Sequence, residues 1–259
     1  MFYKLKILAS NSSLGIRIIR KWKKLAGLKD GEINANLIKK YSPGKSFADI
    51  GALWGVDGQN SFLAEESGAT RVVATDVYPA SAKFLEEKRR INSSVEFIEG
   101  DINLSETSGK IGPCDIVFCS GVLYHTPDPV HMLARLRSIT KETLILNTSS
   151  IPEMPGIKNG AVFYPFLSEN QRKIWNRGIG SQKAITGPYE PESGYGNWFW
   201  GMTPSSIESM LKCAGFEVME RHISQFFSVF VCRAVEIKFT ASSGEWNTPK
   251  DKEFLKFRR

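Results

Sequence analysis

The chain has 259 residues, 42% of them hydrophobic and 24% charged. That balance excludes wholesale disorder, a collagen-like fibre and a small disulfide scaffold, and the length suits one α/β domain with extensions. The net charge is +7. It is unevenly spread: residues 1–45 hold 11 Lys and Arg against Asp30 and Glu32, a net of +9, and residues 246–259 add +3, which leaves −5 for residues 46–245. A mildly acidic body with a basic arm and tail argues against a nucleic-acid-binding surface spread over the whole molecule.

In chain order, residues 13–28 (SLGIRIIRKWKKLAGL) place Leu14, Ile18, Trp22 and Leu25 at helical spacing with most basic residues elsewhere. This basic amphipathic helix packs across the main domain, or it meets an anionic membrane surface or RNA. From residue 46, strands and helices alternate as in a βαβ sheet. Strands are predicted at 46–50, 71–76, 95–98, 115–119 and 143–147, with helices at 59–68, at 80–90 and from 130. A Gly-bearing turn fills 51–58 and the turn SGVLYHTPDP fills 120–129.

The alternation stops at 149–200, where nine aromatic residues fall in 52 positions among many Pro and Gly. A loop of that length is usually functional or locally folded. A helix at 204–214 follows, and then two apolar runs, 216–222 and 226–235, that read as an antiparallel strand pair. The expected organisation is a basic helical extension over 1–44, a domain over 45–238 with 149–200 as its aromatic-rich insertion, and a basic tail over 239–259. No run of 18 apolar residues is present, so no spanning helix is expected. The N-terminus is read as no signal peptide, because Asn11, Ser12 and Ser13 interrupt its apolar run. Cys114, Cys119, Cys213 and Cys232 form no C-x-x-C pair and are read as free, buried thiols in a reducing, cytoplasmic compartment. His125, His131 and His222 fit no zinc-binding spacing, and no metal is expected.

Three features recur after consecutive strands, where open α/β sheets bind ligands. After the first comes Asp49-Ile50-Gly51-Ala52-Leu53-Trp54-Gly55, whose glycines let a ligand approach the backbone. The helix behind it offers N–H groups to an anion. After the second comes Asp76, whose carboxylate can accept from both hydroxyls of a ribose. After the third comes Asp101-Ile102, placed to meet the edge and face of an adenine. Together they describe a pocket for an adenosine with a charged appendage. The G-x-x-x-G spacing, with Leu53 where a middle glycine would lie, disfavours a dinucleotide pyrophosphate.

The segments FADIGALWG (47–55), TRVVATD (70–76), GDI (100–102) and DIVFCSGVLYHTPDP (115–129) resemble the class I S-adenosylmethionine-dependent methyltransferases over roughly residues 45–235. The resemblance implies a Rossmann-like, doubly wound, mostly parallel seven-stranded sheet with an antiparallel last strand. It implies S-adenosylmethionine as cofactor and S-adenosylhomocysteine as product. By position it assigns Asp49, Gly51 and Gly55 to the methionine moiety, Asp76 to the ribose, and Asp101 and Ile102 to the adenine. The adjacent Ala52, Val77, Ser120 and Gly121 are counted with the cofactor pocket. The bulky Leu53-Trp54, the turn Gly121 to Pro129 and the pair Asn197-Trp198 resemble a branch of wobble-uridine tRNA methyltransferases, which also includes small-molecule and saccharide methyltransferases.

His125 is the candidate general base, with bracing of its turn as the alternative role. Tyr124 is the second candidate at the methyl end. Tyr189, Tyr195, Asn197, Trp198 and Trp200 are the candidate acceptor residues, because aromatic faces suit sugars and other planar or apolar groups. The expected activity is methyl transfer to an oxygen of a small molecule or saccharide. The alternatives are an RNA-modifying enzyme using the basic arm, and a non-catalytic membrane- or partner-binding module.

Overall fold

The computed structural model describes residues 30–168, 170–171, 188–224 and 227–236. The helix expected at 13–28 and the tail at 239–259 lie outside the described residues. Helix α1 (Asp30–Tyr41) leads into β1 (Ser46–Ile50), α2 (Gln59–Glu66), β2 (Arg71–Asp76), α3 (Ala82–Arg90) and β3 (Glu96–Glu99). There follow α4 (Ser105–Ile111), β4 (Cys114–Ser120), α5 (Pro129–Ile139) and β5 (Thr140–Ser149). The chain then forms β6 (Ala161–Phe163), β7 (Trp200–Met202), α6 (Pro204–Cys213), β8 (Phe216–Ile223) and β9 (Phe227–Ala234).

Seven strands form one sheet in the order β3-β2-β1-β4-β5-β9-β8. Strands β1 to β5 pair in parallel, whereas β9 runs antiparallel to both β5 and β8. This is the expected Rossmann-like sheet. The chain works outward from β1 through β2 to β3, then restarts beside β1 with β4. That reversal opens a crevice above the carboxyl ends of β1 and β4, the usual ligand position in such sheets.

Helices cover both faces, so the inner strands are apolar on both sides. Ala48, Val117, Cys119, Leu144 and Leu146 join Leu133 of α5 and Ile207 of α6 in one core. Phe47, Phe118 and Ile145, one residue out of phase, join Ile38 of α1, Phe62 of α2 and Phe84 of α3 in the other. Helix α1 falls within the expected 1–44 extension, yet its Leu37 and Ile38 are buried in this second core. The helix starts follow sequence signals. Ser81, Asp128 and Thr203 each accept a main-chain N–H through the side chain, and Pro129 and Pro204 open their helices.

The structure adds α4, a short polar segment with no apolar periodicity to announce it. It also resolves part of the 149–200 insertion into the antiparallel pair β6–β7 and a 3₁₀ turn, Pro191–Gly196. Cys114, Cys119 and Cys232 are buried free thiols as expected, but Cys213 is exposed at the end of α6. Among the described residues, no helix is long and apolar enough to cross a membrane.

Arg137 pins the antiparallel end of the sheet. Its guanidinium is buried and donates to the carbonyls of Thr140, Gly215 and Val235, at the start of β5 and the outer ends of β8 and β9. Replacing it removes a donor from all three carbonyls; Gly215 keeps the Val235 N–H, and an interior carbonyl left unpaired costs about 1 kcal/mol or more. Arg137→Met is expected to lower the stability measured by urea unfolding by about 2–3 kcal/mol; an unchanged midpoint would contradict this role.

Candidate active site

A cavity of about 270 Å³ opens at the carboxyl ends of β1, β2, β3 and β4. Ile50 and Gly51 form its wall at β1, Asp76 and Val77 at β2, Gly100 to Asn103 after β3, and Ser120 to Val122 after β4. Tyr124, His125, Tyr195 and Gly196 close the side where the insertion meets the β4–α5 turn.

The loop after β1 is held against β2. The N–H groups of Gly51 and Ala52 both donate to the Thr75 carbonyl, at 2.9 and 3.1 Å. The Leu53 N–H donates to Oδ2 of Asp76 at 2.9 Å, and Tyr78 N–H donates to Oδ1 at 3.2 Å. A carboxylate has about four acceptor positions, so Asp76 keeps two for a ligand. Gly51 has φ +80, and a Cβ there would lie 2.3 Å from Val122 Cγ2. Only glycine suits that position.

Asp49 does not line the cavity. It is buried beneath it, with Oδ2 accepting from Ser61 Oγ at 2.6 Å and Oδ1 without a hydrogen bond. Burial pushes its carboxyl up to about 7, the nearby Asp76 charge adds to this, and the Ser61 bond opposes it. Ala52 and Gly55 also lie off the wall: Ala52 is buried, and Gly55 (φ +74) serves the turn. Leu53 explains the missing middle glycine. Its side chain fills the core while its N–H holds Asp76, and Trp54, 82% exposed, stands at the cavity rim.

His125 is mostly buried at the end of a 3₁₀ turn, Leu123–His125. Its Nδ1 lies 2.7 Å from the Asn197 carbonyl. A carbonyl only accepts, so Nδ1 carries the proton and the neutral ring keeps its lone pair on Nε2. Burial pushes the imidazole below its usual range, partly offset by the carbonyl. It is therefore neutral near pH 7 and able to accept a proton. Tyr124 is a different case. Burial raises its hydroxyl to about 12, so it stays protonated, and its ring packs on Trp198 at 4.0 Å and His125 at 4.3 Å.

Most of the expected acceptor residues frame the site instead of lining it. Asn197 spends its side chain on its own segment, a strap over residues 188–200: Oδ1 accepts from Glu190 N–H, and Nδ2 donates to the carbonyls of Glu190 and Gly194. Trp198 is buried behind Tyr124. Trp200 donates Nε1–H to the Pro127 carbonyl, and Tyr189 packs on Phe166 and Phe199. Of the five, only Tyr195 reaches the cavity. His131, read from sequence without a ligand role, sits 3.1 Å from the Asn103 carbonyl through Nε2 and braces the loop after β3. Sequence reasoning missed Trp54, Asn60, Tyr78 and Asn103 on the wall. Asn103 directly follows Asp101-Ile102, which was the one available signal.

Residues 49–145 match the protein family described as Methyltransferase domain. No curated protein sequence matches the chain. The fold is similar to the N-terminal domain of EvdMO1 in the presence of SAH and D-fucose, with TM-score 0.52 and 16% identity over 79% of this chain and 83% of that one. It is similar to an O-methyltransferase family protein from Burkholderia thailandensis, with TM-score 0.54 and 10% identity over 79% and 56%. A third similar structure is an S-adenosylmethionine-dependent methyltransferase from Mesorhizobium loti, with TM-score 0.51 and 14% identity over 77% and 95%. The matched residues run from β1 to β5, the part of the sheet that bounds the cavity.

The raised carboxyl of Asp49 has a measurable consequence. The folded protein holds a proton there that the unfolded chain releases near pH 4, so the folded state loses stability as pH rises from about 4 to about 7. In Asp49→Asn that contribution is expected to vanish, so its unfolding free energy should fall less between pH 5 and pH 7.5 than that of the wild type. Equal changes in the two proteins would show that Asp49 titrates normally.

Proposed function

We propose that the chain transfers a methyl group from S-adenosylmethionine to a hydroxyl oxygen of a small molecule or saccharide, releasing S-adenosylhomocysteine. The observation that carries this reading is the His125–Asn197 contact, which leaves a cavity-lining imidazole neutral with Nε2 unprotonated.

The cavity's chemistry fits the cofactor. Asp76 is placed at the end of β2 to accept from ribose hydroxyls, and Val77 borders it. Asp101 and Ile102 would meet the adenine edge and face. Gly51, Ser120 and Gly121 keep the wall low for the methionine portion. The first turn of α2 contributes Asn60 to the wall, where its side-chain amide can donate to the carboxylate. Asp49 lies too deep for direct contact.

When bound, the cofactor supplies a sulfonium-activated methyl group. The protein then positions the acceptor, excludes water and takes the hydroxyl proton. His125 Nε2 is the atom that accepts this proton, while Nδ1–H stays on the Asn197 carbonyl. Tyr124, neutral and buried, contributes the apolar wall at that end. Trp54 at the rim suits a sugar or planar acceptor. The resemblance to O-methylating and saccharide-related proteins supports oxygen as the methylated atom. The basic arm remains a candidate contact for RNA or a membrane surface, and free thiols accord with a reducing, cytoplasmic setting.

Two substitutions test the assignment. Asp76→Ala is expected to weaken S-adenosylhomocysteine binding in calorimetry by about 1–3 kcal/mol, the scale of lost hydrogen bonds to a charged group; unchanged affinity in a folded variant refutes the ribose role. His125→Ala is expected to cut methyl transfer about 10²–10⁴-fold, as for loss of a general base, a far larger effect than the accompanying change in cofactor affinity. Transfer would be followed by mass in an acceptor screen with labelled S-adenosylmethionine, and full turnover would leave His125 a bracing residue.

A further inference from the structure

The strap over residues 188–200 meets the cavity at two points. At the first, Tyr195 donates its hydroxyl to Oδ2 of Asp101 at 2.6 Å. The same hydroxyl accepts from Nδ2 of Asn103 at 2.8 Å. Asn103 completes a ring, because its Nδ2 and its main-chain N–H both donate to Oδ1 of Asp101, at 3.0 and 2.8 Å. At the second point, two residues further on, the Asn197 carbonyl accepts from His125 Nδ1. The spacer between them is stiffened by the Asn197 side chain, which is bonded to Glu190 and Gly194. A displacement at Tyr195 is thereby passed to the partner of His125.

The bond from Tyr195 to Asp101 is charge-assisted, the stronger class of hydrogen bond. It is not a bond that the adenine must break. Of the roughly four acceptor positions on the Asp101 carboxylate, Asn103 fills two and Tyr195 one, which leaves one on Oδ2 for an exocyclic amine. Burial and the Asp101 contact both push the Tyr195 hydroxyl above its usual range, so it keeps its proton and stays a donor.

We propose that Tyr195 is a positioning residue that latches the strap over the adenine end of the cofactor and, through the same strap, holds His125 in its working orientation. This rests on the reading of Asp101 as the carboxylate that meets the adenine amine. Binding at the base end and readiness of the general base are then two results of one closure. The cofactor thereby favours the state in which Nε2 can accept a proton.

The test compares wild type, Tyr195→Phe, Asp101→Ala and the double variant by calorimetry with S-adenosylhomocysteine, after thermal melts confirm folding. Tyr195→Phe is expected to weaken binding about tenfold, and the double variant to bind within twofold of Asp101→Ala, since Tyr195 acts through Asp101. A second readout needs no acceptor. The chain has three histidines, so ¹⁵N spectra assigned with His125→Gln report the ring's tautomer. In the wild-type complex His125 is expected to be the single Nδ1-protonated form, and in Tyr195→Phe a mixture. Wild-type binding with an unchanged tautomer in Tyr195→Phe, or additive losses in the double variant, overturns the latch. The base reading is checked separately with S-inosylhomocysteine, which carries a carbonyl in place of the amine. If the wild type binds it as well as S-adenosylhomocysteine, the base reading fails and the latch with it. If the wild type prefers the adenosyl compound while Tyr195→Phe matches wild type, only the latch fails.

Discussion

The Asn197 carbonyl accepting from His125 Nδ1 is the contact on which the site depends. It joins two segments separated by 72 residues in sequence. It also fixes which ring nitrogen carries the proton, because a carbonyl offers no hydrogen of its own. Two neighbouring contacts make it durable. The Phe199 N–H donates to the Tyr124 carbonyl at 2.9 Å, and the Trp198 ring packs on Tyr124. The strap and the β4–α5 turn therefore behave as one unit. Without it, His125 would be a solvated imidazole free to adopt either tautomer.

The β-sheet supplies the other half of the site by placing strand ends at one level. Asp76 ends β2 and Ser120 ends β4, the two strands that flank β1. Their carboxyl ends converge because the chain reverses direction across the sheet between β1 and β4. The loop after β1 is then drawn over the crevice by bonds to Thr75 and Asp76. The net charge of +7 has little part in this. The wall of the cavity holds the carboxyl groups of Asp76 and Asp101, whereas the basic excess belongs to the arm and the tail.

The sheet was legible because its signals are local. Strands β1, β2, β4 and β5 are short apolar runs, and caps such as Asp128-Pro129 and Thr203-Pro204 mark where helices begin. Asp76, Asp101 and His125 were legible because they follow strands directly, so their place along the chain fixes their place on the crevice. Helix α4 was not, since its polar sequence carries no periodic stripe and its burial comes from tertiary packing. The aromatic insertion misled in a specific way. Its aromatic enrichment pointed to Tyr189, Trp198 and Trp200 as acceptor residues, but the side on which each ring lies depends on main-chain bonds in β6, β7 and the strap. Asp49 failed similarly: alternation along β1 puts it on the α2 side, toward Ser61, and away from the cavity wall. Leu53 could not be interpreted until its N–H was seen on Asp76.

In the proposed complex the crevice holds S-adenosylhomocysteine with its ribose on Asp76, its base at Asp101 and its sulfur toward His125. A crystal structure of the complex tests it most directly. Density running from Asp101 past Asp76 to the face below His125, with the strap closed, is the predicted result. Density in another place or in the reverse orientation, or His125 turned away from the Asn197 carbonyl, would contradict it.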